Sequence, residues 1–389
     1  MSRIDDLIAE LAPKGVEFKP VGEVTAKSSN IKWANVGDDE FQYIDLSSVD
    51  RVTRRIGETA SITAGNAPSR AQRIVHTGDV IFATTRPAQM RWAVIPAEYD
   101  GQIASTGYCV LRPDTSVVLT NFLAHVLGTA AFRQYVEANQ VAGNYPSIPD
   151  NRVRAYRIPV PPLEVQREIV RVLDQFTQLE AELEAELEAR RRQYEHYRRT
   201  ALTFDSSVPR VALGDLVRVK TGSSVSKQAI ARNPGIYPVI NSGREPLGFM
   251  GDFNTEGDPI GVTSRGAGVG SITWCEGRYF RGNLNYGVTI KDASQVDVRF
   301  LYHSLQYMQP QIQALCSFQG IPALNKANLE KLILPVPSSH EQARIANLLD
   351  TFDTLVSDLS IGLPAELNAR RKQYEYYRDK LLTFEEAAA

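Results

Sequence analysis

Cysteine, histidine and long apolar runs are scarce in this sequence. Its 389 residues include three cysteines and five histidines, and the cysteines are far apart and form no CxxC pair. A disulfide framework and a zinc knuckle are therefore not expected, and a reducing cytoplasm is the expected location. No stretch approaches the ~20 apolar residues that a membrane span needs, and the acidic segment 1–10 does not fit a signal peptide. We expect no membrane association.

The sequence motifs of the common catalytic classes are absent as well. The chain has no Walker A sequence, no Asn/Asp-Pro-Pro-aromatic motif and no glycine loop of an amino-methyltransferase. The glycine-rich residues 266–270 lack the spacing of a dinucleotide fingerprint and predict a hairpin turn instead. His125 and His303 have no further ligands at metal spacing, which favours packing or capping roles. The sequence therefore predicts no catalytic residue and no metal site.

A duplication is the strongest feature of the chain. Residues 185–204 and 365–384 share 14 of 20 positions at an offset of 180. Other matches keep the same order at offsets of 176 to 179, and they pair residues 78–86 with 257–265, 121–127 with 299–305, 159–161 with 335–337, and 173–176 with 349–352. Because chance matches would not remain collinear, each half of the chain is expected to form the same structural unit.

Each repeat has the same predicted order of elements. Runs rich in valine, isoleucine and threonine, broken by glycine, asparagine and proline, predict a β-rich region. A short helix follows, at 122–136 in one copy and at about 300–308 in the other. A proline-bounded extended segment then precedes a long helix, predicted at 164–202 in the first copy. In the second copy Ser339 and Gln342 form a predicted capping box, and the Ser-Ile-Gly-Leu-Pro segment at 360–364 is expected to interrupt the helix.

Both long helices carry a narrow apolar stripe on a surface otherwise rich in glutamate and arginine. The stripe recurs at three- and four-residue steps over 169–201 and 345–381, which favours pairing with another helix. Alternatively, each helix lies on its own domain. We predict an α+β protein with two tandem domains of mixed, β-rich character, joined by two long antiparallel coiled-coil helices with pseudo-two-fold symmetry. The expected domains are 1–157 and 205–330, and the expected helices lie within 158–204 and 331–389.

Positive charge is concentrated locally. The formal net charge is −2, but residues 51–91 carry seven arginines against Glu58 and Asp79. Arg86 and Arg265 occupy matched positions after the repeated Gly-Asp-x-Ile segments. Arginine together with asparagine suits bidentate recognition of guanine and adenine edges, whereas a solvated charged face is the alternative for each arginine alone. The candidate DNA-binding residues are Arg86, Arg91, Arg265, Arg278, Arg281, Asn283 and Asn285.

These features together resemble the specificity subunit of type I restriction-modification systems over essentially the whole chain. The resemblance is carried by the duplication, by the Pro-Val-Pro segments before QREI at 166–169 and QARI at 342–345, and by GLPAELNARRKQYEYYR at 362–378. The first copy departs from the last string, with LEAE blocks in place of the Gly-Leu-Pro break. The resemblance implies that two target-recognition domains each read half of a split double-stranded DNA site, while the helices set the gap. Because the two domains differ in length, we expect a non-palindromic site.

The resemblance also implies partners. Two methylation subunits would bind the chain and restriction subunits would join them, so adenine methylation and cleavage would be partner activities. S-adenosylmethionine, ATP and magnesium would then be held by those partners, with no cofactor in this chain. The open alternatives are a methylation-only complex, a two-domain hydrolase and a coiled-coil adaptor that binds no DNA. The expected docking residues are Gln193, Glu195 and Arg198, repeated as Gln373, Glu375 and Arg378.

Overall fold

The duplication in the sequence is also present in the structure. The computed structural model describes residues 3–243, 245–357 and 361–387. They form two units: unit 1 combines residues up to 183 with residues from 367 onward, and unit 2 contains residues 184–366. Each unit therefore combines a β-rich domain with segments of both long helical regions, and the mixed helix and sheet content confirms the predicted α+β class.

Unit 1 contains most of the first repeat. In chain order its elements are α1 (Arg3–Leu11), β1 (Phe18–Pro20), β2 (Thr25–Lys27), β3 (Phe41–Ile44), β4 (Ala60–Ile62), β5 (Ala71–Ile74), β6 (Val80–Ala83), β7 (Trp92–Val94), β8 (Ile103–Ser105), β9 (Tyr108–Pro113), α2 (Thr120–Gly128), α3 (Ala130–Asn139), α4 (Asp150–Ala155), β10 (Arg157–Pro159) and α5 (Leu163–Ala201). The second half of α5 belongs to unit 2.

Unit 2 continues from α5. Its elements are β11 (Arg210–Ala212), α6 (Leu213–Leu216), β12 (Val217–Thr221), α7 (Lys227–Arg232), β13 (Pro234–Ile240), β14 (Phe249–Met250), β15 (Thr255–Glu256), β16 (Ile260–Thr263), β17 (Ile272–Trp274), β18 (Arg278–Arg281), β19 (Asn285–Ile290), α8 (Val298–Tyr307), α9 (Gln309–Ala314), β20 (Cys316–Ser317), β21 (Ala323–Leu324), α10 (Lys326–Glu330), β22 (Ile333–Pro335) and α11 (Ser339–Ser357). The last helix, α12 (Leu363–Leu381), lies mainly in unit 1.

Two four-stranded sheets recur with the same topology in both units. Their strand orders are β2-β9-β6-β7 and β4-β3-β8-β5 in unit 1, and β12-β19-β16-β17 and β14-β13-β18-β15 in unit 2. In each unit one strand pair is parallel, β3 with β8 and β13 with β18. The turn predicted at 266–270 connects the antiparallel strands β16 and β17 and is confirmed. Gly266 and Gly270 have φ values of +96° and +80° there, which favour glycine.

Each unit buries the apolar stripe of a long helix under its β-rich domain. In unit 1, Phe82 of β6 and Phe122 of α2 are fully buried in one cluster with Ile169 of α5. In unit 2, Phe300 of α8 and Ile345 of α11 share the corresponding cluster. Removing these side chains from water stabilises each domain together with the start of its helix, at about 25 cal/mol per Å² of apolar surface.

Two short helices follow the sheets in each unit, α2 and α3 in unit 1 and α8 and α9 in unit 2. The single helix predicted at 122–136 is wrong, because α2 ends at Gly128 and α3 begins at Ala130. Thr129 between them has an extended backbone (φ −66°, ψ 156°), and its hydroxyl accepts a hydrogen bond from Phe132 N, which caps α3. The helix predicted at about 300–308 is confirmed by α8.

The long helices follow the prediction closely. The expected helix at 164–202 is observed as α5, a continuous helix of 39 residues. The second helical region ends as α11 at Ser357 and resumes as α12 at Leu363, which fits the expected interruption; position 360 of that segment lies outside the described residues. In unit 1 the ring centres of Phe176 and Tyr377 are 5.6 Å apart, and Arg371 Nε lies 2.6 Å from Glu180 Oε1. Because the contacts advance along α5 while they move back along α12, the two helices are antiparallel.

The predicted apolar stripe is not closed along its whole length. Ile169 is fully buried, whereas Leu179, ten residues further along α5, is 46% exposed. Within unit 1 the stripe is therefore covered where the β-rich domain packs on it and only partly covered at Leu179.

A buried glutamine attaches each long helix to its domain. Gln166 is fully buried near the start of α5. Its Oε1 accepts a hydrogen bond from Leu119 N at 2.9 Å, and its Nε2 donates to Val117 O at 2.9 Å and to Pro161 O at 2.8 Å. The side chain thus satisfies three backbone groups that belong to no helix or strand ladder.

Gln342 makes the same three bonds in unit 2. Its partners are Asp297 N at 2.8 Å, Gln295 O at 3.0 Å and Pro337 O at 2.9 Å. The predicted capping box of Ser339 and Gln342 is therefore wrong, since this amide binds the domain and not the helix end. The hydroxyl of Ser338 accepts instead from Glu341 N at 3.4 Å.

The two matched histidines contact matched aspartates. His125 Nε2 lies 3.0 Å from Asp174 Oδ1 on α5, and its Nδ1 lies 2.9 Å from the Tyr374 hydroxyl on α12. His303 Nε2 lies 2.6 Å from Asp350 Oδ1 on α11. Burial lowers the pKa of His303, and the neighbouring carboxylate of Asp350 offsets this only in part. Both histidines are buried hydrogen-bonding residues between a domain and its helix.

Replacing Gln166 with leucine should lower the free energy of unfolding by about 2–4 kcal/mol, because one buried N–H and two buried carbonyls lose their partner. The measurement is urea unfolding of the full chain, followed by circular dichroism. Gln178→Leu is the matched control, since Gln178 is exposed on the same helix and should change stability by less than about 0.5 kcal/mol. Equal effects of both substitutions would contradict the attachment role.

Candidate nucleic-acid interface

Three loops of unit 1 meet at one end of the sheet that contains β6. They are the β6–β7 loop at 84–91, the turn at 105–107 and the segment at 143–148, which together are named loop cluster 1. Thr84 N donates to Gly107 O at 2.8 Å, and Ile148 N donates to Thr84 O at 2.9 Å. These backbone bonds hold the three loops in fixed relative positions.

Unit 2 repeats this arrangement in loop cluster 2, which comprises the β16–β17 loop at 264–271, the turn at 282–284 and the segment at 319–324. Ser264 N donates to Leu284 O at 2.8 Å, and Leu324 N donates to Ser264 O at 2.8 Å. The same two backbone bonds therefore recur at equivalent positions. Loops that a rigid scaffold presents in this way are common sites of binding.

Arg86 is at the tip of loop cluster 1. Its backbone is left-handed, with φ +50°, as is that of Met90 in the same loop. Such a conformation is unfavourable for residues with a Cβ and persists only where the surroundings hold it. A hydrogen bond from Arg86 N to Pro146 O at 2.7 Å provides this support. The side chain of Arg86 is therefore exposed to solvent, while the hydrogen bond fixes the position of its backbone.

The arginines of loop cluster 1 and the neighbouring Arg70 share a cavity of ≈ 500 Å³. Arg70, Arg86 and Arg91 line it together with Tyr145, and its described lining includes no carboxylate. The guanidinium of Arg86 lies 5.0 Å from the centre of the Tyr145 ring. The structure therefore brings together Arg86 and Arg91, which the sequence predicted, and adds Arg70. The cavity suits phosphate oxygens or the acceptor atoms of guanine.

Arg265 and Asn283 lie on neighbouring loops of loop cluster 2. Both are exposed, and the bond between Ser264 and Leu284 places their loops next to each other. Arg265 also forms an isolated bridge with Ala323 of the third loop. An arginine beside an asparagine is the pair of side chains that reads guanine and adenine edges in the major groove.

Arg281 and Asn285 do not belong to an exposed interface, which corrects the prediction for both. Arg281 is 3% exposed and Asn285 is fully buried. Arg281 Nη1 donates to Asn285 Oδ1 at 2.9 Å, and its Nη2 donates to Asp258 Oδ2 at 3.2 Å. A Cβ at Gly261 would lie 2.4 Å from Asn285 Oδ1, so this network requires glycine on the adjacent strand. Composition alone could not separate a buried ion pair from an arginine that faces solvent.

The aspartate of the repeated Gly-Asp segment explains this buried arginine. In unit 1 the equivalent acid, Asp79, is 1% exposed and accepts hydrogen bonds from Arg112 Nε at 2.8 Å and Nη2 at 2.9 Å. A buried carboxylate needs a positive partner. Unit 1 supplies it from β9, through Arg112, and unit 2 supplies it from β18, through Arg281.

Arg278 is exposed but is not part of loop cluster 2. It lies at the start of β18, whereas the turn at 282–284 follows the end of that strand. The three residues between correspond to about 10 Å along the strand. Its guanidinium pairs with Glu256 at 2.9 Å and lies 4.8 Å from the Phe253 ring centre. The hydrogen bond to Glu256 raises its pKa above the ordinary arginine value.

The predicted docking residues divide into exposed and buried positions. Glu195, Gln373 and Glu375 are exposed, whereas Gln193 and Arg198 are half-buried. Arg378 is 9% exposed, so its side chain does not lie on an exposed helix face, where a docking residue is expected. Its guanidinium lies 5.4 Å from the Tyr374 ring centre and donates to Asp379 Oδ1 at 2.9 Å. The same stacking recurs between Arg198 and Tyr194 at 5.6 Å, so these repeated arginines support the tyrosines.

Sequence reasoning missed two exposed apolar residues of the loop clusters. Tyr145 and Ile321 are each 70% exposed and precede Pro146 and Pro322. The two positions correspond at an offset of 176, the offset that also relates the Pro-Val-Pro segments. A comparison of the repeats between residues 140 and 150 would have found them.

The described residues also set limits on other kinds of site. No group of three or more His, Cys, Asp or Glu side chains within them is placed to hold a metal ion. Among the helices within those ranges, none is long and apolar enough to cross a membrane.

Comparison with known proteins identifies the family. The type I restriction modification DNA specificity domain matches residues 13–189 and 207–369. A type I restriction enzyme specificity subunit of Escherichia coli is 28% identical over 398 residues, which cover 95% of this chain and 94% of that protein. The HsdS subunit of Thermoanaerobacter tengcongensis matches with a TM-score of 0.51 and 25% identity, over 96% of this chain and 97% of that one.

A further solved structure, from work on complex assembly and conformational transition of the type I R-M system, has a TM-score of 0.64 at 24% identity. The match covers 95% of this chain and 98% of that chain, and it supports the fold. Since the matched domain occurs twice and spans most of the sequence, the chain belongs to the type I restriction-modification DNA specificity family.

Proposed function

We propose that this chain is the DNA-binding specificity subunit of a type I restriction-modification complex, and that each loop cluster reads one half of a split site. The observation that carries this proposal is the repeated presentation of Arg86 and Arg265. Each is exposed and lies in the loop that follows the same strand of the same sheet, and the same pattern of backbone bonds fixes both loops. Within that pattern Arg265 lies one residue earlier in its loop than Arg86, because the bond from Arg86 N to Pro146 O recurs from Gly266 N to Pro322 O. Family membership supports the same function.

The two half-sites should differ in sequence. Loop cluster 1 presents two arginines around a cavity that Arg70 also lines, whereas loop cluster 2 presents Arg265 and Asn283. Arginine pairs best with guanine and asparagine with adenine. Two readers with different side chains on the same backbone framework would recognise a non-palindromic target.

Methylation and cleavage would be the work of partner subunits. The relative in E. coli carries the name of a specificity subunit, which supports a non-catalytic role for this chain. We propose that two methylation subunits bind the repeated helical surfaces and that restriction subunits join them, in the cytoplasm. S-adenosylmethionine, ATP and magnesium would be held by these partners.

Alanine at Arg86 or Arg265 should relax recognition of one half-site and leave the other unchanged. The loss of a base-reading arginine costs about 1–3 kcal/mol, which is roughly a 5- to 150-fold loss of affinity. The measurement is selection of bound sequences from a randomised duplex by the complete complex, with affinity determined at fixed salt.

Each of these variants controls for the other, because only the cognate half-site should change. Arg278→Ala is the additional control in unit 2, since Arg278 is exposed but lies outside loop cluster 2. If Arg86→Ala and Arg265→Ala both keep the original affinity and the original sequence choice, the loop clusters do not read DNA.

Charge reversal at Glu195 and Glu375 should weaken assembly with the methylation subunits. Both residues are exposed and correspond at an offset of 180, so each would face one partner. Glu188→Lys is the matched control, because Glu188 is exposed on α5 but corresponds to Asn368 in the second copy. Size-exclusion chromatography with light scattering should show lost or partial complexes for Glu195→Lys with Glu375→Lys and an intact complex for the control. An intact two-partner complex in all variants would place docking elsewhere.

Insertion of one LEAE block should lengthen the gap between the half-sites by one or two base pairs. Residues 179–190 consist of three four-residue blocks within the continuous helix α5, and each block adds about 6 Å. Base pairs rise ~3.4 Å each, and four residues are close to one turn, so the apolar stripe stays nearly in phase. Mapping of methylated sites by the complex with the inserted block should show unchanged half-site sequences. An unchanged gap would show that another element sets the spacing.

A further inference from the structure

Two large apolar side chains are presented to solvent at equivalent positions of the two units. Tyr145 and Ile321 are each 70% exposed, while Ile148 and Leu324, three residues further on, are buried in their cores. An isolated exposed apolar residue is ordinary, but the repetition of one in both copies, on a loop that packs into the core, is not expected from chance exposure.

Neither side chain lies on a loose loop. Each precedes a proline, and a residue before proline is restricted to extended backbone conformations. The carbonyls of Pro146 and Pro322 accept hydrogen bonds from Arg86 N at 2.7 Å and from Gly266 N at 2.9 Å. The backbone therefore holds each apolar side chain beside the arginine-bearing loop of its own cluster.

The surroundings of Tyr145 indicate what would cover it. The guanidinium of Arg86 lies 5.0 Å from its ring centre, and Arg70 and Arg91 line the same cavity. An apolar partner protein would be poorly matched to this concentration of positive charge. A nucleic-acid base offers an apolar face next to negatively charged phosphates, and therefore satisfies the ring and the arginines together.

We propose that Tyr145 and Ile321 insert against the base stack of their respective half-sites and open a base step there. This inference rests on the proposed DNA-binding function and adds the residues that would distort the duplex. Apolar wedges of this kind unstack bases and bend DNA in other proteins. Tyr145 can stack on a base through its ring, whereas Ile321 can act only as a wedge, so the two half-sites would be distorted to different degrees.

The test uses the complete complex and a duplex that carries its mapped target. The base analogue 2-aminopurine, which fluoresces more strongly when unstacked, is placed in turn at positions of each half-site other than the methylated adenine. The wild-type complex should raise fluorescence at one step in each half-site. Tyr145→Ala should abolish the rise in the half-site of unit 1 only and weaken binding about tenfold, the order of magnitude of one base–aromatic contact. Ile321→Ala should abolish the rise in the other half-site.

Conservative and remote substitutions complete the design. Tyr145→Phe and Ile321→Leu should retain the fluorescence rise, because the apolar surface is kept. Val52→Ala and Phe249→Ala, which alter apolar residues that are 56% and 54% exposed outside the loop clusters, should behave like the wild type. Circular dichroism melting of each variant checks that the fold is preserved.

The outcomes separate this inference from the proposed function. If the wild-type complex binds its target but Tyr145→Ala and Ile321→Ala keep the full affinity and fluorescence rise, the insertion is wrong and the DNA-binding function stands. If these variants bind DNA normally but lose the methylation subunits, the apolar contact is with protein and the insertion is also wrong. If the wild-type complex shows no sequence-selective binding, the proposed function fails and the insertion fails with it.

Discussion

The structure of each unit depends on how a β-rich domain is fixed to its long helix, and one buried amide adds the same three hydrogen bonds to the apolar contact in both units. The segments before the helices, 117–119 with Pro161 and 295–297 with Pro337, contain backbone groups that no helix or strand ladder satisfies. Gln166 and Gln342 each bind one N–H and two carbonyls of these segments. Because an unsatisfied buried backbone group is costly, these bonds favour the observed orientation of each domain on its helix.

A second contact between domain and helix, a histidine–aspartate pair, occurs in both units with different neighbouring residues. His125 with Asp174 and His303 with Asp350 hold the short helix of each domain against its long helix. In unit 1 Asn121 also donates to the aspartate, whereas in unit 2 Arg299 does so. Burial would raise the pKa of both aspartates, but these hydrogen bonds outweigh it and leave each pKa below its ordinary value. Both units therefore keep the aspartate, and the second residue that donates to it is Asn121 in unit 1 and Arg299 in unit 2.

The sequence alone was sufficient for the repeat, the α+β class and the long helices, because these depend on periodicity and on collinear matches. It failed where the partner of a residue is distant in sequence. The spacing of Gln342 from Ser339 predicts a local helix cap, although the partners of Gln342 include Asp297 N, 45 residues away. The composition around Arg281 predicts a DNA contact, although Arg281 is buried and pairs with Asp258. Local patterns report helices and turns well, but burial of a polar side chain is decided by tertiary contacts that they do not contain.

The same distinction explains how one fold could serve two different half-sites. The residues that fix the loop clusters act through backbone bonds, at Thr84 with Gly107 and at Ser264 with Leu284, and a backbone bond places no demand on the exposed side chain next to it. Tyr145 and Ile321 therefore have different side chains, although their loops make the same backbone hydrogen bonds. Since recognition would depend on these free side chains and stability on the buried ones, each cluster could change its target without loosening the domain from its helix. Arg281 is not available for such a change, because it is buried and pairs with the partly buried Asp258.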